Sequence, residues 1–573
     1  MNPNNLPVFT KFAECQDCYK CVRGCPVKAI KVENHHASII PELCIHCGHC
    51  VDICPVNTKC VRDDLGKLRL LVSKKQKIVI SLAPSWKSEF PNLAKEKMIA
   101  GLKLLGISEV SETALGAEEV NSNLSIYLKV ASGVKISTAC PTVVELVEKY
   151  FPQLVTCLIP FDSPLLAHSK ILKAYFGENY NIGFIGPCIS KKIESDNHQE
   201  LLDFAITFKD LHRFFAESKI DPYKLDADSN KDFLPQSAKE GSLYPVEGGM
   251  IDTMLIDKDT DYQCFAISGT DDICKLFTDL VKRGVDKNIF LETLSCKGGC
   301  INGPACIKEK SYLLKEIDII NNNEFVGIKT ERKPALDICQ DYNYIAISNP
   351  VQKEISITEV FRKIGKFRPE DEKNCGGCGY NTCREFAQAI IDGKAEASMC
   401  VSYLRKLAQK KANALFRTMP SGVIIVDKDM IIQETNVNFF KILGLEDQFA
   451  TDAIDLDGAR LDRMISFTGM FKKVLDEGND ILDKELRYGE KYFKISIFSI
   501  EKHELVGAVL QDITLPSVAR GHTISQAKAV INKNLDMVQK IAFLLGENAA
   551  EVEIALNSII DVSGIDKTEN ISE

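Results

Sequence analysis

No apolar run in this 573-residue chain approaches the roughly 18 residues of a membrane-spanning helix, so none is expected. The N-terminal Met-Asn-Pro-Asn-Asn-Leu-Pro-Val has neither a basic region nor an apolar stretch, so a signal peptide is not expected either. A formal net charge of -9 gives no electrostatic reason to expect nucleic acid or an anionic membrane as partner. The last 173 residues contain no cysteine, which excludes a thiolate metal site or a flavin-adduct cysteine there. No glycine-rich ATPase region follows His522, and too few residues remain for one here, so a complete histidine kinase is not expected.

Cysteine is what the remainder has in excess. All 22 cysteines precede residue 401, in tight clusters at metal-ligand spacings. Without an export signal this favours metal over disulfide, and points to an anaerobic cytoplasm. Cys15, Cys18, Cys21 and Cys25-Pro26 form one C-x2-C-x2-C-x3-C-P run, and Cys44, Cys47, Cys50 and Cys54-Pro55 repeat it. In such a doubled run the fourth cysteine serves the other cluster. One 4Fe–4S cluster then takes Cys15, Cys18, Cys21 and Cys54, and the second takes Cys44, Cys47, Cys50 and Cys25. His46 and His49 read as exposed loop residues, since four thiolates already fill the iron sites. A module of this kind, over residues 1–74, moves single electrons and makes or breaks no bond.

From residue 75 the pattern changes to strands alternating with helices. Lys77 to Ala83, Ser108 to Ser111, Tyr180 to Ile185, Phe204 to Phe208 and Gln263 to Ser268 read as strands, and Leu93 to Leu105 as a helix. The alternation predicts α/β layers with mostly parallel sheets. Cys140 follows the apolar Val134 to Ile136, Cys188 follows Ile182 to Ile185, and Cys296 follows Ile289 to Leu294. Ligands gather at the carboxyl ends of strands in such folds, so three segments can aim thiols into one crevice. Cys296 and Cys300 stand four apart around Gly298-Gly299, a spacing that puts both on one side of a helical turn, with glycines that let backbone approach an inorganic core.

These segments carry a family resemblance. Ser137-Thr138-Ala139-Cys140-Pro141, Gly186-Pro187-Cys188-Ile189-Ser190-Lys191-Lys192-Ile193-Glu194 and Glu292 to Gly303 resemble, in order, the three signatures of the FeFe (iron-only) hydrogenase catalytic domain. The resemblance implies an H-cluster: a 4Fe–4S cubane joined through one cysteine to a di-iron unit with CO, CN⁻ and a bridging dithiolate amine. Cubane ligands would be Cys140, Cys188, Cys296 and Cys300, with Cys300 as the bridge. Lys191 would donate to a cyanide, and the backbones of Pro187 and Ala139 would line the pocket.

The departures from the signatures fall around that pocket. Ala139 replaces the cysteine that hands protons to the dithiolate amine, which implies slow turnover unless another group substitutes. Gly186 and Leu294 stand in methionine places and Val143 in a tryptophan place. Glu292, Glu194, Glu145 and Glu247 are the candidate replacement carriers. Ser295 is a donor to the cubane or a turn cap, and Gly241 to Met250 resembles a glycine-rich loop near the cluster. Cys157, Cys264, Cys274, Cys306 and Cys339 have no partners by spacing and read mostly as buried small hydrophobes.

Over residues 346–405, Cys375, Cys378, Cys383 and Cys400 give C-x2-C-x4-C-x16-C, with a helical pattern from Arg384 to Gly393. This resembles the small 4Fe–4S domain of electron-transfer proteins such as the corrinoid iron–sulfur protein; a four-cysteine zinc site is the alternative. A basic connector helix follows, Val401 to Phe416. Strands are predicted over Met419 to Asp427, Ile431 to Asn436, Tyr492 to Ser499 and Val506 to Ile513, with Asn436 leading a helix that ends near Gly444. The pattern resembles a PAS sensory domain within 406–515. Only His503 is available as a haem ligand, so no dedicated cofactor is expected there. The tail, 516–573, reads as helices over Thr523 to Asn534, Met537 to Leu545 and Ala549 to Ile560, with Leu535, Val538, Ile541 and Leu545 on one stripe.

The expected architecture is therefore multidomain α/β and α+β: ferredoxin module, hydrogenase domain (75–345), small iron–sulfur domain, PAS domain and helical tail. Expected cofactors are the H-cluster and three additional 4Fe–4S clusters. Expected partners are H₂, protons, ferredoxin or another redox protein, and a signalling protein at the PAS domain or tail, with a homodimer among the expected assemblies. Three functions fit: an H₂-sensing hydrogenase with slow turnover, a ferredoxin-linked catalytic hydrogenase, and a non-catalytic iron–sulfur scaffold or assembly protein.

Overall fold

The computed structural model describes residues 6–11, 15–226, 232–254, 261–321, 323, 325, 330–347, 355–445, 458–514 and 523–533. Backbone contacts divide the chain into two compact units, 1–403 and 404–573.

The first unit opens with four short strands, β1 (Val8–Thr10), β2 (Ile30–Glu33), β3 (His36–Ile39) and β4 (Lys59–Val61). β1 pairs with β4 and β2 with β3, both antiparallel. The β2–β3 turn is two residues, Asn34 and His35, both at positive φ (50° and 62°). Such a turn matches the right-handed twist of a hairpin. Two five-residue helices, Lys20–Gly24 and His49–Ile53, carry Cys21 and Cys50. Each ends at a cysteine, Cys25 or Cys54, whose following proline cannot extend the helix hydrogen bonds.

Seven strands then build two sheets: β5 (Ile78–Leu82), β6 (Glu109–Glu112), β7 (Val134–Ile136), β8 (Asn181–Gly186), β9 (Phe204–Thr207), β10 (Gln263–Ser268) and β11 (Ile289–Leu294). Their orders are β6-β5-β8-β9 and β10-β11-β7. Every pairing is parallel, as the alternation of strands and helices predicts. All five β5 residues are buried, as are Ile182 to Gly186 of β8, so these strands read as continuous apolar runs rather than alternating ones.

The second unit holds β12 (Gly422–Asp427), β13 (Ile432–Thr435), β14 (Ile481–Tyr488), β15 (Lys491–Glu501) and β16 (Leu505–Asp512), in the order β13-β12-β16-β15-β14 and all antiparallel. Phe439, Phe471 and Phe493 fill its core. Asn436 caps the helix Val437–Leu443 and ties it to the sheet. Its Oδ1 accepts from the Val423 and Phe439 N–H groups (2.8 and 3.1 Å), and its Nδ2 donates to the Phe416 and Ser421 carbonyls. Asn436→Ala leaves these groups unpaired in a buried place. It is expected to cost about 1–3 kcal/mol, read as a lower unfolding midpoint of this unit. β14 and the helix Gly469–Glu477 were not anticipated: in β14 only Leu486 is buried, so its charged sequence hides the strand. The tail stripe from Leu535, the two later tail helices and His522 lie outside the described residues; Thr523 to Lys533 is helical.

Candidate functional site

Each of the three motif segments leaves the carboxyl end of a parallel strand. β7 runs into Ser137 to Pro141, and Cys140 precedes the helix Pro141–Tyr150. β8 runs into Pro187 and Cys188, ahead of the helix Lys191–Asn197. β11 ends directly before Ser295 and Cys296. Cys140, Cys188, Cys296 and Cys300 converge on a small cavity of about 20 Å³. A second cavity, of about 90 Å³, adjoins it and shares Cys140, Cys188, Cys300, Pro187 and Leu294. Ala139 and Lys191 stand on its wall.

Burial and mutual repulsion act on these thiols together. Burial, then Cys140, pushes the Cys188 thiol up to about 11, and burial raises Cys296 and Cys300 further. A bound metal core reverses such shifts, because its charge deprotonates the thiols. Among the described residues no three His, Cys, Asp or Glu groups are set to hold a single ion. A four-iron core spaces its thiolates more widely than one ion does.

The larger cavity is almost entirely apolar, and its few polar groups are specific. Lys191 is buried; its Nζ donates to Glu194 Oε2 at 2.7 Å and Ser163 Oγ at 2.9 Å. An ammonium has three donors, so one remains for the cavity. The Ser85 hydroxyl is buried with no hydrogen-bond partner. A buried orphan of this kind marks a place where a polar ligand group belongs. An orphan hydroxyl, a buried ammonium and three thiols in an otherwise apolar chamber fit the cyanides, metal core and carbon monoxides of a di-iron unit. Ser85 gave no signal in the sequence, because it stands outside all three motifs.

The candidate carboxylates are placed differently from one another. Glu292, on β11, accepts from the Gly248 and Ile251 N–H groups, both at 3.1 Å, and so anchors the glycine-rich loop. Burial pushes its carboxyl from 4.5 up to about 7, against the opposing N–H donors. A carboxyl raised in the folded state stabilises it when protonated. That contribution is complete below pH 4.5 and is lost as pH rises towards 7, on the order of 3 kcal/mol in all. Glu292→Gln should flatten this part of the pH–stability curve and remove the protonated-carboxyl infrared band expected at pH 6. Glu247 accepts from Ser268 Oγ. Glu194 pairs with Lys191 on one side, and on the other lines a polar cavity of about 240 Å³ shared with Glu145 and Glu148. Glu145 is an inter-module contact, its Oε2 lying 2.8 Å from His46 Nδ1.

Several expectations need correction. His46 is buried, not exposed, because it pairs with Glu145; His49 is exposed as expected. Cys296 and Cys300 do not share a helical turn. Gly298 and Gly299 take φ of 74° and 96°, which breaks any helix and hands Cys300 to a short 3-10 turn. Those glycines admit protein rather than an inorganic core: a Cβ at Gly298 would lie 2.2 Å from the Tyr312 ring, and one at Gly299 2.3 Å from the Pro245 carbonyl. Ser295 pairs with Thr270 at 2.9 Å. Of the four departures only Ala139 and Leu294 line the larger cavity. Val143 lies in the core beneath. A side chain at Gly186 would meet the Phe184 ring at 2.3 Å, and Phe184 takes its place on the wall. Of the cysteines outside the cluster motifs, Cys306 is buried, Cys157, Cys264 and Cys274 are half-buried, and Cys339 is exposed.

The ferredoxin module meets this site through its second cysteine run. Cys25, Cys44, Cys47 and Cys50 line one small apolar cavity, the grouping expected for the second cluster. Cys47 also lines the chamber of the four site cysteines. Lys149 Nζ and Tyr150 OH donate to the Cys44 and Leu43 carbonyls, both at 2.6 Å, which holds the module in place. In the first run, burial pushes the Cys21 thiol up, with Lys59 opposing and Cys15 and Cys18 adding to the rise. Cys54 stands apart in character: burial raises it, but hydrogen bonds from Thr58 and neighbouring N–H groups bring it down to about 7.

Residues 76–304 match the family "Iron only hydrogenase large subunit, C-terminal domain". The chain carries an iron-only hydrogenase domain. Ahead of that domain, residues 8–55 match "4Fe-4S dicluster domain", and after it residues 371–402 match "Putative Fe-S cluster". The periplasmic [Fe] hydrogenase large subunit of Nitratidesulfovibrio vulgaris is 24% identical over 356 residues, 51% of this chain and 84% of that protein. Iron hydrogenase 1 of Clostridium pasteurianum is 21% identical over 302 residues, 42% of this chain and 52% of its own length. Among solved structures, a variant of the [FeFe]-hydrogenase HydA1 from Chlamydomonas reinhardtii aligns at 15% identity and a TM-score of 0.38, over 47% of this chain and 94% of that one. Among the described residues of this hydrogenase-domain protein, no helix is long and apolar enough to cross a membrane.

Proposed function

We propose that the chain is an H₂-sensing hydrogenase of slow turnover, in which the redox state of its clusters is passed to a PAS domain at 406–515. The observation that carries this reading is Ala139, a methyl on the wall of a chamber otherwise furnished to receive a di-iron unit. Cys140, Cys188, Cys296 and Cys300 would hold the cubane, Cys300 would bridge to the di-iron unit, and Lys191 and Ser85 would donate to its cyanides. When bound, that unit supplies the chemistry H₂ ⇌ 2H⁺ + 2e⁻.

The chain's own residues then set how fast protons leave. A methyl accepts no proton, and the apolar walls exclude water. Among the described residues, the Lys191–Glu194 ion pair joins this chamber to the polar cavity beyond, so the two would carry protons in place of a thiol, at a cost in rate. Electrons would leave past Cys47 into the ferredoxin module. The antiparallel five-stranded unit after residue 404 has the strands and capped helix of the PAS resemblance.

The test is infrared and paramagnetic resonance spectroscopy of the matured full chain. The reading expects CO and CN⁻ bands that shift under H₂, a slow rate of H₂ oxidation, and reduction of the cluster at Cys375, Cys378, Cys383 and Cys400 by H₂ alone. Absence of the bands would return the chain to an iron–sulfur scaffold. Fast turnover would favour the ferredoxin-linked catalytic hydrogenase.

A further inference from the structure

The small iron–sulfur domain does not dock where its place in the sequence suggests. It follows the hydrogenase domain in the chain, yet it packs on the ferredoxin module. Val22, Ile30 and Val32 share one apolar core with Tyr380, Phe386 and Met399. Val32 N donates to the Lys394 carbonyl at 2.9 Å, and Asn34 N donates to Glu396 at 2.8 Å.

Lys28 lies at the centre of this contact. It is three residues past Cys25, in a left-handed conformation with φ of 51°. Its Nζ donates to the carbonyls of Val22, Arg23 and Gly379, each at 3.1 Å, which uses all three ammonium protons. Gly379 belongs to the Cys375–Cys383 loop, so a single ammonium clamps that loop to the ferredoxin helix. The same ammonium lies 5.8 Å from the centre of the Tyr380 ring. Tyr380 is buried, and its hydroxyl has no hydrogen-bond partner. Cys25 and Cys378, which belong to different cluster sets, both pack against the core that holds Tyr380.

We propose that Lys28 and Tyr380 form the electron junction between the ferredoxin module and the C-terminal cluster. On this view the C-terminal cluster is fed from the cluster of Cys25, Cys44, Cys47 and Cys50, and not from the hydrogenase domain. With both cysteine sets loaded, one electron would be given up at the Cys25, Cys44, Cys47 and Cys50 site, oxidising it, and taken up at the Cys375, Cys378, Cys383 and Cys400 site, reducing it. Lys28 is a positioning residue: it fixes the loop, and its charge favours the added electron. Tyr380 fills the gap with a conjugated ring in place of water. The inference rests on the redox-relay reading above, and adds to it the route taken.

A redox titration of the matured full chain with a chemical reductant tests this without requiring H₂ to react, so its failure is separate from failure of H₂ sensing. Lys28→Met removes the charge at similar length. It should lower the midpoint potential of the C-terminal cluster by about 59 mV, a tenfold shift for a one-electron couple. Lys28→Arg should restore most of that shift. Tyr380→Leu keeps the charge; it should leave the potential near wild type and slow reduction of the C-terminal cluster at least several-fold in stopped flow. Iron content shows whether each variant still holds its clusters. If Lys28→Met loses the C-terminal cluster outright while Tyr380→Leu keeps both iron and wild-type rate, the junction is overturned. An unchanged potential in Lys28→Met, with iron retained, overturns it as well.

Discussion

Ala139→Cys is expected to raise the rate of H₂ turnover by roughly 10²–10⁴-fold, the range that a positioned proton carrier contributes. The size follows from how little else the chamber offers. Apart from its cysteines, its polar side chains are Ser85, Thr113, Lys191 and Tyr244. Thr113 is engaged with Ser81 at 2.7 Å, and the Tyr244 hydroxyl donates to Asn121 at 2.6 Å. Lys191 is committed to Glu194 and Ser163. None of the four candidate carboxylates lines the chamber. The Ser85 hydroxyl has no partner, but an alcohol neither gains nor loses a proton at ordinary pH, and the Lys191–Glu194 pair serves only at a cost in rate. A thiol at 139 would therefore be the group there best suited to take and return a proton at the reacting centre. Residue 139 is half-buried, so the added sulfur displaces little. H₂ oxidation and proton reduction assays on the matured variant read the effect. A rate within twofold of the parent would show that proton delivery is not what slows the site.

Removing Lys191 is expected to cost more in stability than any other single change in the chamber. Its side chain and that of Glu194 are each 11% exposed and pair at 2.7 Å. Lys191→Met leaves the carboxylate buried and unpaired, a loss of about 3–5 kcal/mol. The Ser163 hydroxyl loses one of its two donors in the same step, keeping the Leu166 N–H. Adding Glu194→Gln removes the stranded charge, so the double variant should recover most of the stability while still lacking the cation. Denaturant midpoints of the four proteins form a double-mutant cycle, and an additive result would show that the two side chains do not act as a pair.

Much of the scaffold was legible because it rests on local pattern. Buried parallel strands are apolar along their whole length, and the strand ends were marked by the cysteines themselves. The doubled run alone groups Cys25 with Cys44, Cys47 and Cys50, and those four side chains line one cavity. What escaped reading depends on contacts between distant segments. Nothing near His46 in the sequence shows that Glu145 will cover it. The Gly298-Gly299 pair looks like a helical turn until Tyr312 and the Pro245 backbone occupy the space beside it. The room beside Gly186 is filled by Phe184, two residues earlier on the same strand, and neither residue alone tells of the exchange. Ser85 shows its importance only as a hydroxyl left without a partner, a property of the folded chain.

The clamp between Lys28 and Gly379 spans 351 residues of chain. At ordinary synthesis rates of about 5–20 residues per second, roughly 20–70 s pass between the emergence of one partner and the other. Through that interval the nascent ferredoxin module presents Val22, Ile30 and Val32 to solvent, since the residues that cover them, Phe386 and Met399 among them, have yet to be made. An early part of this unit is thus completed by its last part. Iron delivered to the N-terminal cysteines arrives at a half-built module, and a chain truncated before residue 371 would keep those cysteines while leaving that apolar face permanently bare.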